Sequence, residues 1–341
     1  MKVAQIAPPW FAVPPMRYGG IEWVVALLAD GLADRGHDTT LYASGGSITR
    51  AKLVSVFEDP PGGPHIGEVF YDVMHASVAY GEADRFDLIH DHSGIIGPSI
   101  GAQVATPVVH TLHGPFTDEA KQIYSHLSGR VWFVAISEAQ RAFCPDLSYA
   151  GTVHNGIDLS RYPFRAEKED FLLFLGRINR EKGPELAVEV AHRTGRKLVM
   201  AVKMAEQFEQ EYWKENVEPI LDGSEEIIGE ITVDEKADLL ARAGAVLFPI
   251  QWPEPFGLVM TEAMASGTPV IAFAKGAAPE VIVHGTTGFL VETLDEMCEA
   301  VERAGEINPE TARAHVEAHF SADAMVEGYL KAYDRVLAGR V

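Results

Sequence analysis

The chain has 341 residues, 47% of them hydrophobic, and this length and composition predict two domains with sizeable cores. Its 28 basic and 49 acidic residues give a formal net charge of −21, which argues against nucleic acid and against an anionic membrane surface as partners. Two cysteines in different halves exclude a disulfide scaffold, no apolar run approaches the roughly 20 residues that span a bilayer, and the N-terminus indicates a strand and not a signal peptide, so we expect a cytoplasmic protein without integral membrane segments.

The first half of the chain alternates between short apolar strands and helices with apolar residues at helical spacing. Strands are predicted at residues 3–7, 39–43, 53–57, 88–90, 108–112, 131–135 and 152–154, and helices at 22–35, 66–80, 118–127 and 137–142. A glycine pair, Gly19 and Gly20, precedes the first helix. This alternation predicts an α/β domain with a parallel sheet and helices on both faces.

A domain boundary is expected at residues 155–170, where an Asn-Gly pair, a proline and a run of charged residues follow one another. A second alternating set has strands predicted at 171–175, 198–202, 226–228, 246–249, 270–273 and 289–291, and helices at 184–194, 207–221, 234–243, 258–265 and 294–304. Residues 322–337 carry one apolar stripe, and no strand follows them. The second half therefore predicts another doubly wound parallel sheet, followed by a terminal helix.

Two carboxylates lie on either side of a predicted helix start in residues 253–267. Pro255 disfavours helical geometry at Glu254, and Gly257 precedes the helix, so Glu254 should lie in a loop at the helix N-terminus. Glu262 should lie about one turn inside that helix. The free N–H groups of a helix start favour an anion, and carboxylates accept from hydroxyls, so the pattern suits a nucleotide sugar. Taken alone, two glutamates at this spacing are also typical of an ordinary surface helix.

A basic loop follows the first strand of the second domain, between Gly176 and Gly183. It matches neither the dinucleotide-binding glycine motif nor the P-loop. It places Arg177 and Lys182 at the carboxyl end of a strand, where doubly wound sheets bind their ligands. Two bases at this position in an acidic chain indicate a diphosphate site, and the alternative is a solvated turn with charged side chains.

Together these motifs resemble the nucleotide-sugar site of glycosyltransferase family 4, whose members are retaining enzymes of the GT-B fold. The resemblance extends to Tyr18-Gly19-Gly20 and to residues 111–115 (TLHGP), 136–138 (ISE), 155–158 (NGID) and 276–281 (GAAPEV), and it departs at residues 202–204. It implies two Rossmann-like, doubly wound domains facing each other across a cleft. Residues 1–160 would form the mainly acceptor-binding domain and 166–318 the nucleotide-sugar-binding domain, with 319–341 as a C-terminal crossover helix that packs back on the first domain.

The resemblance also implies a role for each matched residue. The catalytic set would be His113, Arg177, Lys182 and Glu254. The donor-binding set would be Gly19, Gly20, Gly176, Arg177, Lys182, Phe256, Gly257, Leu258 and Glu262. In this assignment Arg177 and Lys182 donate charge-assisted hydrogen bonds to the diphosphate. Glu254 holds a hydroxyl of the donor sugar and Glu262 the ribose hydroxyls, while His113 contacts the sugar near the reacting carbon.

The function that the resemblance implies is retaining transfer of a sugar from a nucleoside diphosphate sugar to a hydroxyl of a saccharide, lipid or natural product. Transfer would be front-side, with the leaving phosphate taking the proton of the acceptor. No cofactor is expected beyond the sugar nucleotide, and family frequency favours uridine as its base. The acceptor and the oligomeric state stay open. The alternatives are an inactive or regulatory sugar-nucleotide-binding protein and a GT-B epimerase.

No metal site is expected from the sequence. A D-x-D triplet, which would bridge a metal to a diphosphate, occurs nowhere in the chain. His90-Asp91-His92 resembles a set of metal ligands, but such a triplet at a strand end is more often cleft-lining. Metal-independent transfer is therefore the expectation.

Overall fold

The computed structural model describes residues 1–15 and 19–339, with Pro64 described by its backbone alone. The chain divides into two compact units, one formed by Met1–Ile157 with the segment from Ala322 onward and the other by Asp158–Ser321. Within the described residues, no helix combines the length and the apolar character that crossing a membrane requires.

The first unit contains a parallel sheet of seven strands in the order β3-β2-β1-β4-β5-β6-β7. Its strands are β1 (Lys2–Ile6), β2 (Asp38–Ala43), β3 (Lys52–Ser55), β4 (Leu88–Asp91), β5 (Val108–Leu112), β6 (Trp132–Ala135) and β7 (Tyr149–Thr152). Its first five helices are α1 (Gly20–Asp34), α2 (Val69–Gly81), α3 (Ile96–Gly101), α4 (Asp118–Leu127) and α5 (Glu138–Arg141). The strand order reverses between β1 and β4, which opens a crevice at the carboxyl ends of these two strands.

The second unit repeats this architecture with six parallel strands in the order β10-β9-β8-β11-β12-β13. Its strands are β8 (Phe171–Arg177), β9 (Lys197–Lys203), β10 (Glu226–Ile228), β11 (Ala245–Phe248), β12 (Val270–Phe273) and β13 (Gly288–Val291). Its helices are α6 (Pro184–Thr194), α7 (Gln207–Tyr212), α8 (Val233–Arg242), α9 (Leu258–Ala265), α10 (Ala278–Val281), α11 (Leu294–Arg303) and α12 (Pro309–His319). Here the order reverses between β8 and β11.

Side chains at the helix starts satisfy N–H groups that would otherwise lack partners. Thr117 caps α4 by accepting from Ala120 N at 3.2 Å. Thr232 and Glu235 form a reciprocal capping box at α8. Asn308 caps α12, whose first residue is a proline. These local signals fix where the helices start and hence where the loops at the sheet edges begin.

The last helix, α13 (Ala322–Leu337), packs on the sheet of the first unit. Its apolar stripe joins Val3 and Leu88 of the sheet in one buried cluster. Gly31 of α1 allows the two helices to approach closely, because a Cβ there would lie 2.6 Å from Val326 Cγ2. Helix α13 thereby covers one face of the sheet, and α2 covers the other with its alanines against Ile6.

The predicted α/β class with two doubly wound parallel sheets is confirmed, but several element limits were wrong. The seventh strand spans Tyr149–Thr152 and not 152–154, because its buried apolar residues pair with β6. The α-helix predicted at 207–221 ends at Tyr212 and continues as a π-helical segment at Trp213–Val217 and a 3-10 turn at Glu218–Ile220, which contains Pro219. Helix α2 begins at Val69 and not 66, after Gly67 with φ of 86°. Helices α3, α10 and α12 were not predicted.

Candidate functional site

Two loops meet at the point where the strand order of the second sheet reverses, which is where doubly wound sheets bind ligands. One loop follows β8 and the other follows β11, and Gln251 N donates to Glu181 O between them at 2.7 Å. Gly183 has φ of 63°, and a Cβ there would lie 2.4 Å from the Pro249 oxygen. Only glycine permits this approach, so Gly183 keeps the two loops in contact.

Lys182 and Glu254 form an ion pair across these two loops. Lys182 Nζ donates to Glu254 Oε2, and the Trp252 Nε1–H donates to the same oxygen at 2.8 Å. The side chains of Lys182 and Glu254 are 21% and 12% exposed. The ammonium also lies 5.5 Å from the Trp252 ring centroid and 5.9 Å from that of Phe248. The predicted cation and the predicted hydroxyl acceptor thus lie together, and the indole of Trp252 orients the carboxylate.

Helix α9 begins immediately after Gly257, whose φ of 83° and ψ of 69° lie in the left-handed region. A Cβ on Gly257 would lie 2.9 Å from both the Phe248 ring and Met260 Cε. No described side chain caps this helix. Its first N–H groups, including that of Leu258, therefore lie where an anion is favoured. Phe256 can offer a ligand only its backbone, because its ring is 2% exposed and packs against Phe320.

Glu262 lies one turn into α9 and is 5% exposed. Its Oε1 accepts from the Tyr162 hydroxyl at 2.7 Å and from Lys236 Nζ at 2.6 Å. Burial, together with the neighbouring carboxylate, raises the pKa of Tyr162, which therefore stays a donor. Glu262 Oε2 is buried and accepts no hydrogen bond from the described residues. An unpartnered carboxylate oxygen of this kind has the chemistry to accept from a ligand hydroxyl.

Arg177, the last residue of β8, is held by a buried carboxylate. Its Nε donates to Glu209 Oε1 at 2.6 Å, and Glu209 is fully buried. The second oxygen of Glu209 accepts from Ala205 N at 2.9 Å and Glu206 N at 3.0 Å, so the carboxylate itself cannot turn. Gly176 is not sterically required, since a Cβ there would meet nothing nearer than 3.6 Å.

Each cation of this site has a carboxylate partner and has further N–H donors that this partner does not use. A guanidinium has five N–H donors and an ammonium has three. Arg177 uses Nε for Glu209, and Lys182 uses one N–H for Glu254. The remaining donors, together with the start of α9, can hydrogen bond to an anion whose position the paired side chains define.

The glycine pair of the first unit lies at the start of α1, and Tyr18 of the same motif lies outside the described residues. Gly19 has φ of 152°, and a Cβ there would lie 2.7 Å from Glu22 Oε2. Gly20 is the first residue of α1. Glu22 is 5% exposed, and burial raises its pKa to about 7. Glycine is therefore required at position 19 by backbone angle and by the packed carboxyl of Glu22.

His113 follows β5 and is hydrogen bonded to another histidine. Its Nε2 lies 2.9 Å from His92 Nδ1, and the two rings stack with centroids 5.2 Å apart. Burial, more than the neighbouring His110, lowers the pKa of His113 to about 3. His113 is therefore a neutral imidazole near pH 7, able to donate or accept a hydrogen bond but not to supply positive charge.

The polar side-chain atoms of the His90-Asp91-His92 triplet interact with other groups of the protein. Asp91 accepts from Tyr80 at 2.9 Å and lies 3.2 Å from His110 Nδ1. Both ring nitrogens of His90, and both of His92, have hydrogen-bond partners within the first unit. The triplet therefore lines the switch point of the first sheet as part of a polar core.

Four residues that position the site were missed by sequence reasoning: Trp252, Glu209, Tyr162 and Lys236. The last two lie 100 and 26 positions from the carboxylate they contact, and nothing in the local sequence indicates such contacts. Glu209 carried a usable signal, because Glu206 and Glu209 form a capping box. That box predicts the start of α7, although not the contact of Glu209 with Arg177.

Comparisons with known proteins match nearly the whole chain. The model described as Glycosyltransferase Family 4 matches residues 18–161, and the model described as Glycosyl transferases group 1 matches residues 158–318. Glycogen synthase of Mycobacterium tuberculosis is 27% identical, and the match covers 81% of this chain and 79% of that protein. The solved structure of AviGT4, a glycosyltransferase involved in avilamycin A biosynthesis, is 28% identical with a TM-score of 0.73, covering 99% of this chain and 98% of that one. HepE of Anabaena, solved with UDP-glucose, shares the fold at 18% identity, with a TM-score of 0.74 and coverage of 98% and 99%.

Proposed function

Because this chain belongs to glycosyltransferase family 4 and has the GT-B fold, we propose that it moves a sugar from a nucleoside diphosphate sugar to a hydroxyl of an acceptor. The chain is a glycosyltransferase, and the finer proposal concerns how its residues serve the transfer. The observation that carries it is the group at the switch point of the second sheet. There, two cations with spare donors, the start of α9 and the partly unpartnered Glu262 lie at the edge of one sheet.

In the proposed complex, the two cations and the start of α9 hold the diphosphate. Arg177 and Lys182 donate charge-assisted hydrogen bonds to its oxygens. The backbone N–H groups of Gly257 and Leu258 add to them at the helix N-terminus. As the bond between sugar and phosphate breaks, negative charge grows on the departing diphosphate, and fixed donors stabilise it most at that moment.

Carboxylates and a neutral imidazole serve the hydroxyls in this proposal. Glu262 accepts from the ribose through Oε2, the oxygen without a partner among the described residues. Glu254 accepts from a hydroxyl of the donor sugar through Oε1, while Oε2 is held by Lys182 and Trp252. His113 contacts another sugar hydroxyl, and Gly19 and Gly20 offer backbone N–H groups to the donor.

We propose that transfer retains the anomeric configuration and needs no metal ion. The acceptor oxygen attacks the anomeric carbon from the side that the diphosphate leaves, and the departing phosphate oxygen takes the acceptor proton. No protein nucleophile is then required. Arg177 and Lys182 offset the charge that a metal would otherwise neutralise, which suits a sequence without a D-x-D triplet. No other cofactor takes part.

The proposal is tested by incubating the full chain with UDP-, GDP-, ADP- and TDP-sugars and measuring release of the nucleoside diphosphate. UDP-glucose comes first because HepE was solved with it. Activity that persists in excess chelator is expected, as is an α-linked first product from an α-linked donor by proton NMR. Loss of turnover that magnesium or manganese restores, or a β-linked product from an α-donor, contradicts this mechanism.

Matched lysine variants test the assignment of the site. Lys182→Ala removes a charge-assisted contact worth about 1.5–3 kcal/mol, so donor affinity should fall about tenfold to a hundredfold. Lys197→Ala is the control, because Lys197 also pairs with a glutamate but lies at the opposite, amino end of β9. Equal effects of the two variants would remove Lys182 from the donor site.

The alternatives from the sequence have distinct outcomes in the same experiment. A regulatory sugar-nucleotide-binding protein gives heat of binding by titration calorimetry without release of the nucleoside diphosphate under any acceptor condition. An epimerase converts one sugar nucleotide into its epimer without any acceptor. Transfer that depends on an added acceptor excludes both.

A further inference from the structure

A chain of buried polar side chains crosses the first unit from helix α13 to His113. Its members come from β1, from the ends of β4 and β5, and from α13, and they are Gln5, His90, His92, Thr111, Tyr329 and Tyr333. All six are at most 1% exposed. Each is hydrogen bonded to the next, so this buried relay, as we call the six residues, joins the terminal helix to His113 by contacts within one unit.

Gln5 fixes the direction of every hydrogen bond in the buried relay, because an amide has one donating end and one accepting end. Its Nε2 donates to the Tyr333 hydroxyl at 3.0 Å. Its Oε1 lies 3.0 Å from His92 Nε2, which must therefore carry a proton. Two branches leave Gln5, and the proton positions along each follow from these two contacts.

The first branch runs through α13. Tyr333 accepts from Gln5, so its own proton goes to His90 Nδ1, 2.6 Å away. His90 then carries its proton on Nε2 and donates to Thr111 Oγ1 at 2.7 Å. Thr111 donates in turn to the Tyr329 hydroxyl at 3.1 Å. Every member of this branch is neutral and has a partner, as burial at this depth requires.

The second branch ends at His113. His92 has its proton on Nε2, and burial keeps the pKa of His92 well below its ordinary value, so its Nδ1 is a bare acceptor. His113 Nε2, 2.9 Å away, must then be the donor. Since His113 is also neutral near pH 7, its Nδ1 has no proton. That nitrogen accepts no hydrogen bond from the described residues, so its lone pair is available to a ligand.

We propose that the buried relay holds His113 in the tautomer with Nε2 protonated, so that Nδ1 accepts a hydrogen bond from a sugar hydroxyl and disfavours phosphate oxygens. Gln5, His92 and Tyr333 are positioning residues in this scheme and do not touch the ligand. The ligand class rests on the proposed function, whereas the tautomer does not. A hydroxyl can donate a hydrogen bond to the unprotonated Nδ1, whereas an ionised phosphate oxygen has no proton to donate and its lone pairs would repel that of the nitrogen.

Energetics require all hydrogen bonds of the relay to run in one consistent direction, and the orientation of the Gln5 amide sets that direction. Leaving one buried donor or acceptor unpaired costs about 1–3 kcal/mol. Turning His113 alone into the other tautomer would set the lone pairs of His113 Nε2 and His92 Nδ1 against each other. The direction can reverse only if the Gln5 amide and every member of both branches reverse together, which explains why residues of α13 can bias a histidine that they do not contact.

The tautomer can be measured on the full chain without any sugar nucleotide. Two-dimensional NMR of protein labelled with ¹⁵N-histidine distinguishes protonated from unprotonated ring nitrogens, and His113→Asn assigns the signal by its loss. We expect His113 to show Nε2 protonated and Nδ1 unprotonated at pH 7. A signal for Nδ1–H, or for the doubly protonated ring, overturns the proposal even if the protein transfers sugar. The expected signal sustains it even if no donor is found.

Two tyrosine variants on the same helix test whether the relay sets the tautomer. Tyr333→Phe removes the hydroxyl that Gln5 donates to, while the ring still fills its space, and should give a mixture of His113 tautomers. Tyr329→Phe removes only the terminal acceptor of the first branch and should leave the His113 signal unchanged. An unchanged His113 signal in Tyr333→Phe, or an equal change in both variants, removes Tyr333 as a positioning residue. If Tyr333→Phe does not fold, Gln5→Met, which removes the acceptor of the His92 Nε2–H group, should give the same mixture of His113 tautomers, and an unchanged His113 signal overturns the proposal.

Discussion

Replacing Gly257 by alanine should disturb the start of α9 through two separate effects. The residue has φ of 83°, a conformation that costs an L-residue about 1–2 kcal/mol. The new methyl group would also lie 2.9 Å from the Phe248 ring and Met260 Cε, and relieving such overpacking costs about 1–3 kcal/mol. The free energy of unfolding should therefore fall by about 2–5 kcal/mol.

The same substitution should weaken donor binding, because the Phe248 ring that must move lies 5.9 Å from Lys182 Nζ. Urea denaturation gives the stability, and titration calorimetry with UDP-glucose gives the affinity. Gly176→Ala is the control for stability alone, since its methyl group would meet only ordinary contacts at 3.6 Å and beyond. A change without steric conflict at this half-buried position should alter the free energy of unfolding by about 0.5 kcal/mol or less. Gly257→Ala as stable as Gly176→Ala would refute the steric argument for the helix start.

Three further substitutions test single contacts of the two units. Glu209→Gln replaces an oxygen acceptor by an N–H donor facing Arg177 or the backbone, and should destabilise the protein by about 1–3 kcal/mol in urea while weakening donor binding. Trp252→Phe keeps an aromatic ring beside Lys182 but removes the hydrogen bond from the indole to Glu254. A hydrogen bond to a charged group is worth about 1.5–3 kcal/mol, so the KM for the donor should rise about tenfold or more. An unchanged KM would count against this contact. The pKa of Glu22 is raised from 4.5 to about 7, so the folded state binds the proton more tightly and stability should fall as pH rises from about 4.5 to about 7, by about 3 kcal/mol. Glu22→Gln should lack this slope, and a slope that persists in the variant would assign it to another group.

The sequence predicted those parts of the fold that have strong local signals. The strand at Phe171–Arg177 is buried along its apolar run, which is what a continuous apolar segment indicates. Helix α9 was predicted with its correct limits, because Gly257 and Gly267 bound it. Helix α12 was missed even though Asn308 and Pro309 are a recognisable start. Its apolar positions are few, so periodicity alone did not indicate it.

The partners of the site residues could not be predicted from the sequence. Lys182 and Glu254 are separated by 72 positions, and Arg177 and Glu209 by 32. Which carboxylate meets which cation depends on the strand order of the sheet, and propensity and spacing do not give that order. The buried relay was beyond reach for the same reason, because Gln5 and Tyr333 lie 328 positions apart. The motifs therefore predicted which edge of the sheet holds the site, whereas the contacts between the site residues could be seen only in the folded structure.

The pairing of each cation with a carboxylate changes how the site must recognise an anion. An unpaired cluster of bases would attract a diphosphate through its local positive potential, even in a chain whose net charge is −21. Here Arg177 with Glu209 and Lys182 with Glu254 are close to neutral as pairs, so long-range attraction is small and is screened within about 8 Å at physiological ionic strength. Recognition then depends on the orientation of the hydrogen-bond donors. Glu209 and Glu254 fix where the unused N–H donors of Arg177 and Lys182 lie, and the start of α9 adds N–H groups of fixed orientation. Binding of the donor should therefore depend on the positions of its phosphate oxygens more than on its total charge, and a nucleoside monophosphate should bind far more weakly than a diphosphate, beyond what one unit of charge explains.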